Sequence, residues 1–291
     1  MFNVDHMMVE LWPQAEQASW MQRLIMRLMR PIYLQTLKPD SWLKRLFRRL
    51  LCEKEFQAFA ANSPRLRGLD MVEQVLKSLN LRCEVSEHSL EHIPKQGPVI
   101  IVANHPTGAA EAFVLPSVVS RVRRDMKGIA NQLLMHMEPV ASLLIPVDKV
   151  NERVSENARK QMHEQLENGG ALVICPAGDV SRIKMTGLQD KKWRAGFVRM
   201  ARKYRAPILP IFVHGHNSLG FYITSLIAPP LATLLYVQQM FRRRNSTMHF
   251  TIGEPISFDS WSALKLSDHE IAEKFRRHVI RLGKGRPGDF K

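Results

Sequence analysis

The residues best equipped for chemistry lie in one stretch, Val102-Ala103-Asn104-His105-Pro106-Thr107-Gly108-Ala109-Ala110-Glu111. An apolar run leads into Asn104-His105-Pro106, and Thr107-Gly108 then opens a helical pattern. His105 is thereby placed at the carboxyl end of a predicted strand, where open α/β sheets bind their ligands. Glu111 follows in the first turn or so of the predicted helix, and Pro106 and Gly108 fold the link back, so its carboxylate can reach the imidazole. A carboxylate on one ring nitrogen fixes the tautomer and stabilises the imidazolium, leaving the other nitrogen as a base. This is the His–acid half of a triad, and no good nucleophile accompanies it. There is no Gly-x-Ser-x-Gly elbow, and Cys175 precedes Pro176 without obvious local activation. The pattern suggests a base acting on a hydroxyl or amine of the substrate. A purely structural histidine after a strand is the competing reading.

Three more segments share the texture of a strand running into polar residues. Gly170 to Ile174 is apolar and ends in Cys175-Pro176-Ala177-Gly178, followed by Asp179, Ser181 and Arg182. Backbone amides around Gly178, the Ser181 hydroxyl and Arg182 could hold a phosphate or another anion. An ordinary strand-to-helix turn has the same composition. Ile145-Pro146-Val147-Asp148-Lys149 is a strand ending in a cation. Ala206 to Val213, with Pro210 inside it, ends in His214-Gly215-His216. A metal-dependent hydrolase could use those two histidines with Asp148 or Asp179, but a lone His-x-His is weak evidence. No metal site is expected.

These segments need a scaffold. Residues 98–103, 143–147, 171–175, 208–213 and 248–252 read as strands. Residues 109–121, 151–168 and 188–205 read as helices between them, with Gly169-Gly170 stopping the second. Strand and helix in alternation predict an α/β class fold, a mostly parallel central sheet flanked by helices, with N-terminal amphipathic helices. We expect a helical membrane-interface region over 1–80, an α/β domain over 81–260, and a C-terminal helix with a basic tail over 261–291. Residues 19–30 and 42–51 carry wide apolar faces opposite almost purely basic ones, which suits a membrane interface. Packing of those apolar faces on the protein core is the alternative. Residues 217–241 contain no charge, yet Pro229-Pro230 would break a helix near the middle. Two short apolar helices, buried or dipping into the interface, are expected there rather than one span.

The chain has 291 residues and 42 Lys and Arg against 27 Asp and Glu, a formal charge of +15. That excess favours an anionic partner: nucleic acid, an acidic protein, anionic lipid or a phosphorylated substrate. A nucleic-acid module is disfavoured, since no helix-turn-helix, zinc spacing or aromatic RNA-binding strand is visible. Three cysteines (Cys52, Cys83, Cys175) form no spaced framework, which excludes a disulfide scaffold and suggests a reducing compartment. No secretory signal is visible, so the expected location is the cytosol or the cytosolic side of a membrane.

Taken together, the four segments resemble the glycerophospholipid (lysophospholipid) acyltransferase family, whose motifs are Asn-His followed by an acid, a strand ending in Arg, Phe-Pro-Glu-Gly-Thr-x-Ser, and a strand with Val-Pro. The similarity is greatest to the hemolysin-like branch that includes lyso-ornithine-lipid acyltransferases. That branch has one more residue between His and the acid, and Pro-Ala-Gly in the third motif. Trp193-Arg194-Ala195-Gly196-Phe197 and Gly253-Glu254-Pro255-Ile256 also look like it. The resemblance spans residues 94–258. It implies that His105 is the general base and Glu111 the acid that orients it. Lys149 matches the phosphate-binding Arg, Gly178 and Ser181 the acceptor-binding Gly and Ser, with Arg182 beside them. Asn104, Gly108, Pro176 and Pro210 support the motifs. Glu111 stands where Asp is customary, Lys149 keeps charge but loses the guanidinium fork, and Ala177 stands where many relatives have Glu. The implied reaction moves a fatty acyl group from acyl-CoA or acyl-ACP, as co-substrate rather than bound cofactor, to a lysolipid such as a lysophospholipid or lyso-ornithine lipid. The implied partners are acyl carrier protein or coenzyme A thioester, the lysolipid acceptor and the anionic membrane surface, without nucleic acid. The implied place is peripheral, on the cytoplasmic side of the inner membrane. A catalytically inactive member serving as a lipid-binding protein is the alternative.

Overall fold

The computed structural model describes residues 42, 45, 48–49, 52–62, 66–131, 138–147, 154–184, 187–227, 229–286 and 288–290. The chain divides into two compact units, one of Met1–Leu66 with Asn217–Arg244 and one of Arg67–His216 with Asn245–Lys291.

The larger unit is built on a seven-stranded sheet. Its strands are β1 (Arg82–Glu84), β2 (Val99–Ala103), β3 (Met126–Asn131), β4 (Leu144–Val147), β5 (Ala171–Ile174), β8 (Ile208–Val213) and β9 (Thr247–Ile252). They lie in the order β1-β9-β8-β2-β5-β3-β4, and a separate hairpin joins β6 (Arg182–Lys184) to β7 (Gly187–Gln189). Every neighbouring pair in the large sheet is parallel except β8 with β9. A parallel sheet is covered on both faces, so its central strands are apolar throughout. β2 and β5 are buried at every position. Between the parallel strands run the helices Glu111–Val119, Glu156–Glu167 and Gly196–Tyr204. Pro210 is buried in β8, in register with Val102, and its carbonyl accepts from the Gly253 amide at 2.9 Å.

The α/β class expected from the sequence is the observed one, and all five strands read from it are present. The helix expected over 188–205 is shorter. Gly187–Gln189 is the second hairpin strand, Asp190 to Ala195 is irregular, and the helix begins at Gly196. Asp190 turns inward to the His105 amide, the Ser181 hydroxyl and the Trp193 indole, which holds this stretch against the loops after β2 and β5 rather than in an exposed helical turn. Under the sheet, Phe197 stands edge-on to Trp193 at 6.0 Å and to Phe275 at 5.9 Å. Phe275 lies on the helix Asp268–Leu282, which starts with a capping box between Ser267 and Glu270.

The amino-terminal edge of the sheet has its own fastening. The Arg123 side chain is 2% exposed and donates to Asp125 through Nε and Nη2, to the carbonyls of Pro94 and Gly97, and to that of Gly169. All five guanidinium N–H bonds are thereby used.

In the smaller unit, residues 217–241 form two helices, Leu219–Ile227 and Pro229–Phe241. Pro229 opens the second, where the missing N–H costs nothing. The pair packs through the Phe221 and Tyr236 rings at 5.5 Å, and the Ser218 amide donates to Gln239 Oε1 at 2.8 Å. Leu219, Ile223, Leu226 and Ile227 are exposed along the first helix. No helix among the described residues is long and apolar enough to cross a membrane. The expectation for residues 19–30 lies outside the described residues. From 42–51, Trp42, Arg45, Arg48 and Arg49 are described, and all four are helical and exposed.

Candidate active site

The carboxyl ends of parallel β2 and β5 lie side by side, which brings the loop carrying His105 next to the loop carrying Gly178 and Ser181. Asn104 pins the first loop to β8. Its Nδ2 donates to the Val213 carbonyl at 3.0 Å, and its Oδ1 accepts from the Val213 amide at 2.7 Å. The side chain thus copies a backbone rung beyond the end of β2.

The next residue carries the imidazole. His105 Nδ1 lies 3.6 Å from Glu111 Oε2, with side-chain exposures of 23% and 2%. This is ion-pair separation, just beyond hydrogen-bond reach. The other oxygen, Glu111 Oε1, accepts from the Thr107 amide at 2.7 Å. One carboxylate therefore closes the His105-to-Glu111 link on itself and still faces the ring. The extra methylene of Glu is taken up by that bond. Gly108, at φ +88°, makes the left-handed bend the link requires.

The second loop turns at Gly178, whose φ of +63° again suits glycine. Its amide donates to the Cys175 carbonyl at 3.1 Å, so it is committed to the turn. Pro176 is buried, and its carbonyl accepts from the Arg194 amide at 3.0 Å. Asp179 sits between two cations, 2.7 Å from Lys191 Nζ and 3.4 Å from Arg182 Nη2. Part of the Arg182 charge is thus spent inside the protein. Cys175 is partly buried, with Sγ 3.8 Å from the Asn104 carbonyl. Burial, reinforced by the charges of Glu111 and Asp190, pushes its thiol well above the usual range, which removes it as a nucleophile at neutral pH. Lys149 and Asp148 lie outside the described residues.

Ser181 is 2% exposed. Its amide donates to the His105 carbonyl at 2.8 Å, and its hydroxyl donates to Asp190 Oδ1. Asp190 also takes the His105 amide at 3.3 Å on Oδ1 and Trp193 Nε1 at 2.9 Å on Oδ2. Burial raises the Asp190 carboxyl above the ordinary range, opposed by the Ser181, Trp193 and His105 bonds and by the charge of Arg276. Sequence reasoning missed this aspartate. The available signal was an acid three residues before a tryptophan, hidden within a stretch that reads as helical.

His214 packs on Phe212, and its Nε2 lies 2.8 Å from Thr251 Oγ1. Among the described residues, no group of three or more His, Cys, Asp or Glu side chains is placed to hold a metal ion. An imidazole paired with a carboxylate at the carboxyl end of a central strand can take a proton from a bound hydroxyl and return it to a leaving group.

A family model described as acyltransferase matches residues 37–281. The chain is 25% identical over 225 residues to a lyso-glycine lipid O-acyltransferase of Bacteroides thetaiotaomicron, covering 75% of this chain and 82% of that one. It is 26% identical over 220 residues to a protein of the same name from Phocaeicola vulgatus, covering 73% and 78%. Among solved structures it is similar to the 1-acyl-sn-glycerophosphate acyltransferase PlsC of Thermotoga maritima. The TM-score is 0.44 at 18% identity, over 82% of this chain and 95% of that one.

Proposed function

The chain belongs to the acyltransferase family, and on that premise we propose that it moves a fatty acyl group from a thioester to the hydroxyl of a lysolipid at a membrane surface. The observation that carries this reading is the His105–Glu111 pair at the carboxyl end of β2, with its acid buried and its imidazole partly exposed. Glu111 holds Nδ1, so Nε2 is the nitrogen offered to the acceptor. Nε2 takes the hydroxyl proton as the oxygen attacks the thioester carbonyl. The tetrahedral oxyanion collapses, the carbon–sulfur bond breaks, and the imidazolium returns its proton to the departing thiolate. We assign the oxyanion to the Gly108 amide, because the Gly178 amide is held in its own turn.

Lys149, Gly178, Ser181 and Arg182 are assigned to the polar end of the acceptor. The similar proteins named for lyso-glycine lipid make an amino-acid lysolipid the first acceptor to try. The thioester is acyl-CoA or acyl-ACP. Both are anionic, as is a bacterial inner leaflet, and a +15 chain suits all three. We place the enzyme peripherally on the cytoplasmic face, with the part of residues 1–80 that precedes the larger unit, up to Leu66, as its interfacial region. The exposed stripe of Leu219, Ile223, Leu226 and Ile227 supports that placement. The alternative, a non-catalytic lipid-binding role, rests on Glu111 standing where Asp is customary; the bond from the Thr107 amide to that longer arm supports the catalytic reading instead.

The test is product analysis by mass spectrometry. Palmitoyl-CoA and palmitoyl-ACP would each be offered with monoacylated glycine lipid, lyso-ornithine lipid, lysophosphatidate and lysophosphatidylethanolamine. A diacylated product from one of them is expected. None from any pairing, with protein that remains folded, would overturn the reading.

A further inference from the structure

A buried carboxylate outside the base–acid pair is expensive, and Asp190 is 5% exposed. Nothing in the proposed reaction uses it directly. Its partners come from separate segments and converge on it: the His105 amide from the end of β2, the Ser181 hydroxyl from the loop after β5, and the Trp193 indole from three residues further along. A tryptophan N–H alone could be met by any backbone carbonyl. Three donors around one side chain need two acceptor oxygens, and a carboxylate supplies both without bringing a donor of its own.

We infer that Asp190 is a positioning residue of this active site, a buried brace that locks the His105 loop to the Ser181 loop and so sets where the imidazole stands. The inference rests on His105 being the base. Asp190 touches the backbone of His105, not its ring, and therefore acts through placement. Two struts join the loops: the Ser181 amide on the His105 carbonyl, and Asp190 Oδ1 shared by the His105 amide and the Ser181 hydroxyl. The Ser181 hydrogen is committed to Asp190. Toward an acceptor this serine offers only lone pairs, which suit an N–H or O–H of the headgroup rather than a phosphate oxygen.

Asp190→Asn separates placement from packing, since the shape is kept and one acceptor becomes a donor. The amide either faces its nitrogen to the indole N–H or turns it toward the His105 amide, and each choice sets two donors against each other. Trp193→Phe removes the first conflict, leaving the amide oxygen for His105 and Ser181. Four variants would be compared with wild type for kcat, KM and melting temperature: Asp190→Asn, Trp193→Phe, Asp190→Asn/Trp193→Phe and His105→Ala. The substrates are palmitoyl-CoA and the acceptor that wild type acylates fastest.

Asp190→Asn is expected to lower kcat by about 10- to 100-fold with little change in either KM, the signature of a misplaced base. The double variant should recover to within about threefold of Trp193→Phe alone, because the restored acceptor is the one facing His105. Wild-type kcat in Asp190→Asn would overturn the inference. So would a loss that merely follows the folded fraction, or a double variant no better than Asp190→Asn. In each case an inactive His105→Ala leaves the reading of the base standing. An active His105→Ala, or a wild type without turnover, removes that reading and the inference with it.

Discussion

At the residue scale one carboxylate has two tasks. Glu111 Oε1 holds the Thr107 amide while Oε2 faces His105, so arm length and charge matter separately. Glu111→Gln keeps the length and loses the charge that stabilises the imidazolium, and kcat should fall by about 10²- to 10⁴-fold. Glu111→Asp keeps the charge but cannot span both partners, and a loss of about tenfold is expected. Steady-state kinetics on the two variants checks both. An Asp variant as active as wild type would mean that the Thr107 bond positions nothing. The closeness of His105 and Glu111 was legible in the sequence because it is local, closed within the turn from Asn104 to Glu111. Asp190 was not legible. Its partners His105 and Ser181 are joined to it only by tertiary packing, and no local pattern records that.

At the scale of elements, legibility followed burial. β2, β5 and β8 are buried along almost their whole length and read as unbroken apolar runs. β3 carries Lys127, Gly128 and Asn131 and is only partly buried, so it offers no such run and was not foreseen. The Arg123 fastening was equally invisible, since three of its five bonds go to backbone carbonyls. Arg123→Ala would leave those part-buried carbonyls without their partner and open a gap where the guanidinium lay, at a total cost of about 3 kcal/mol. A fall in Tm of roughly 5 to 10 °C follows, measurable by calorimetry. Asp125 adds a pH term. Its bonds to Arg123 hold its carboxyl below the ordinary value. A depressed folded pKa means this stabilisation is present above the unfolded value and is lost as pH falls through the folded one. Tm of Asp125→Asn should therefore converge on that of wild type as the solution is acidified below the carboxylate range. A gap that stays constant with pH would contradict the assignment.

At the scale of the molecule, charge and exposed apolar surface point the same way. The chain carries +15, and the helix Leu219–Ile227 shows solvent four large apolar side chains. The composition was readable from the sequence, and so was the break at Pro229-Pro230. Which face of the helix stays uncovered was not, because residues 217–241 carry no charge to mark a solvent side. Ile223→Asp/Leu226→Asp should weaken sedimentation with anionic vesicles by at least about tenfold while leaving Tm unchanged. Binding by wild type should also fall as ionic strength rises. Undiminished binding by the double variant would place the membrane contact elsewhere. The most direct test of the central claim is single-turnover acyl transfer from palmitoyl-CoA to the preferred lysolipid, with His105→Ala beside wild type. If His105 removes the acceptor proton, the rate should fall by about 10²- to 10⁴-fold while Tm and vesicle binding are retained. Transfer by folded His105→Ala at the wild-type rate would contradict the account.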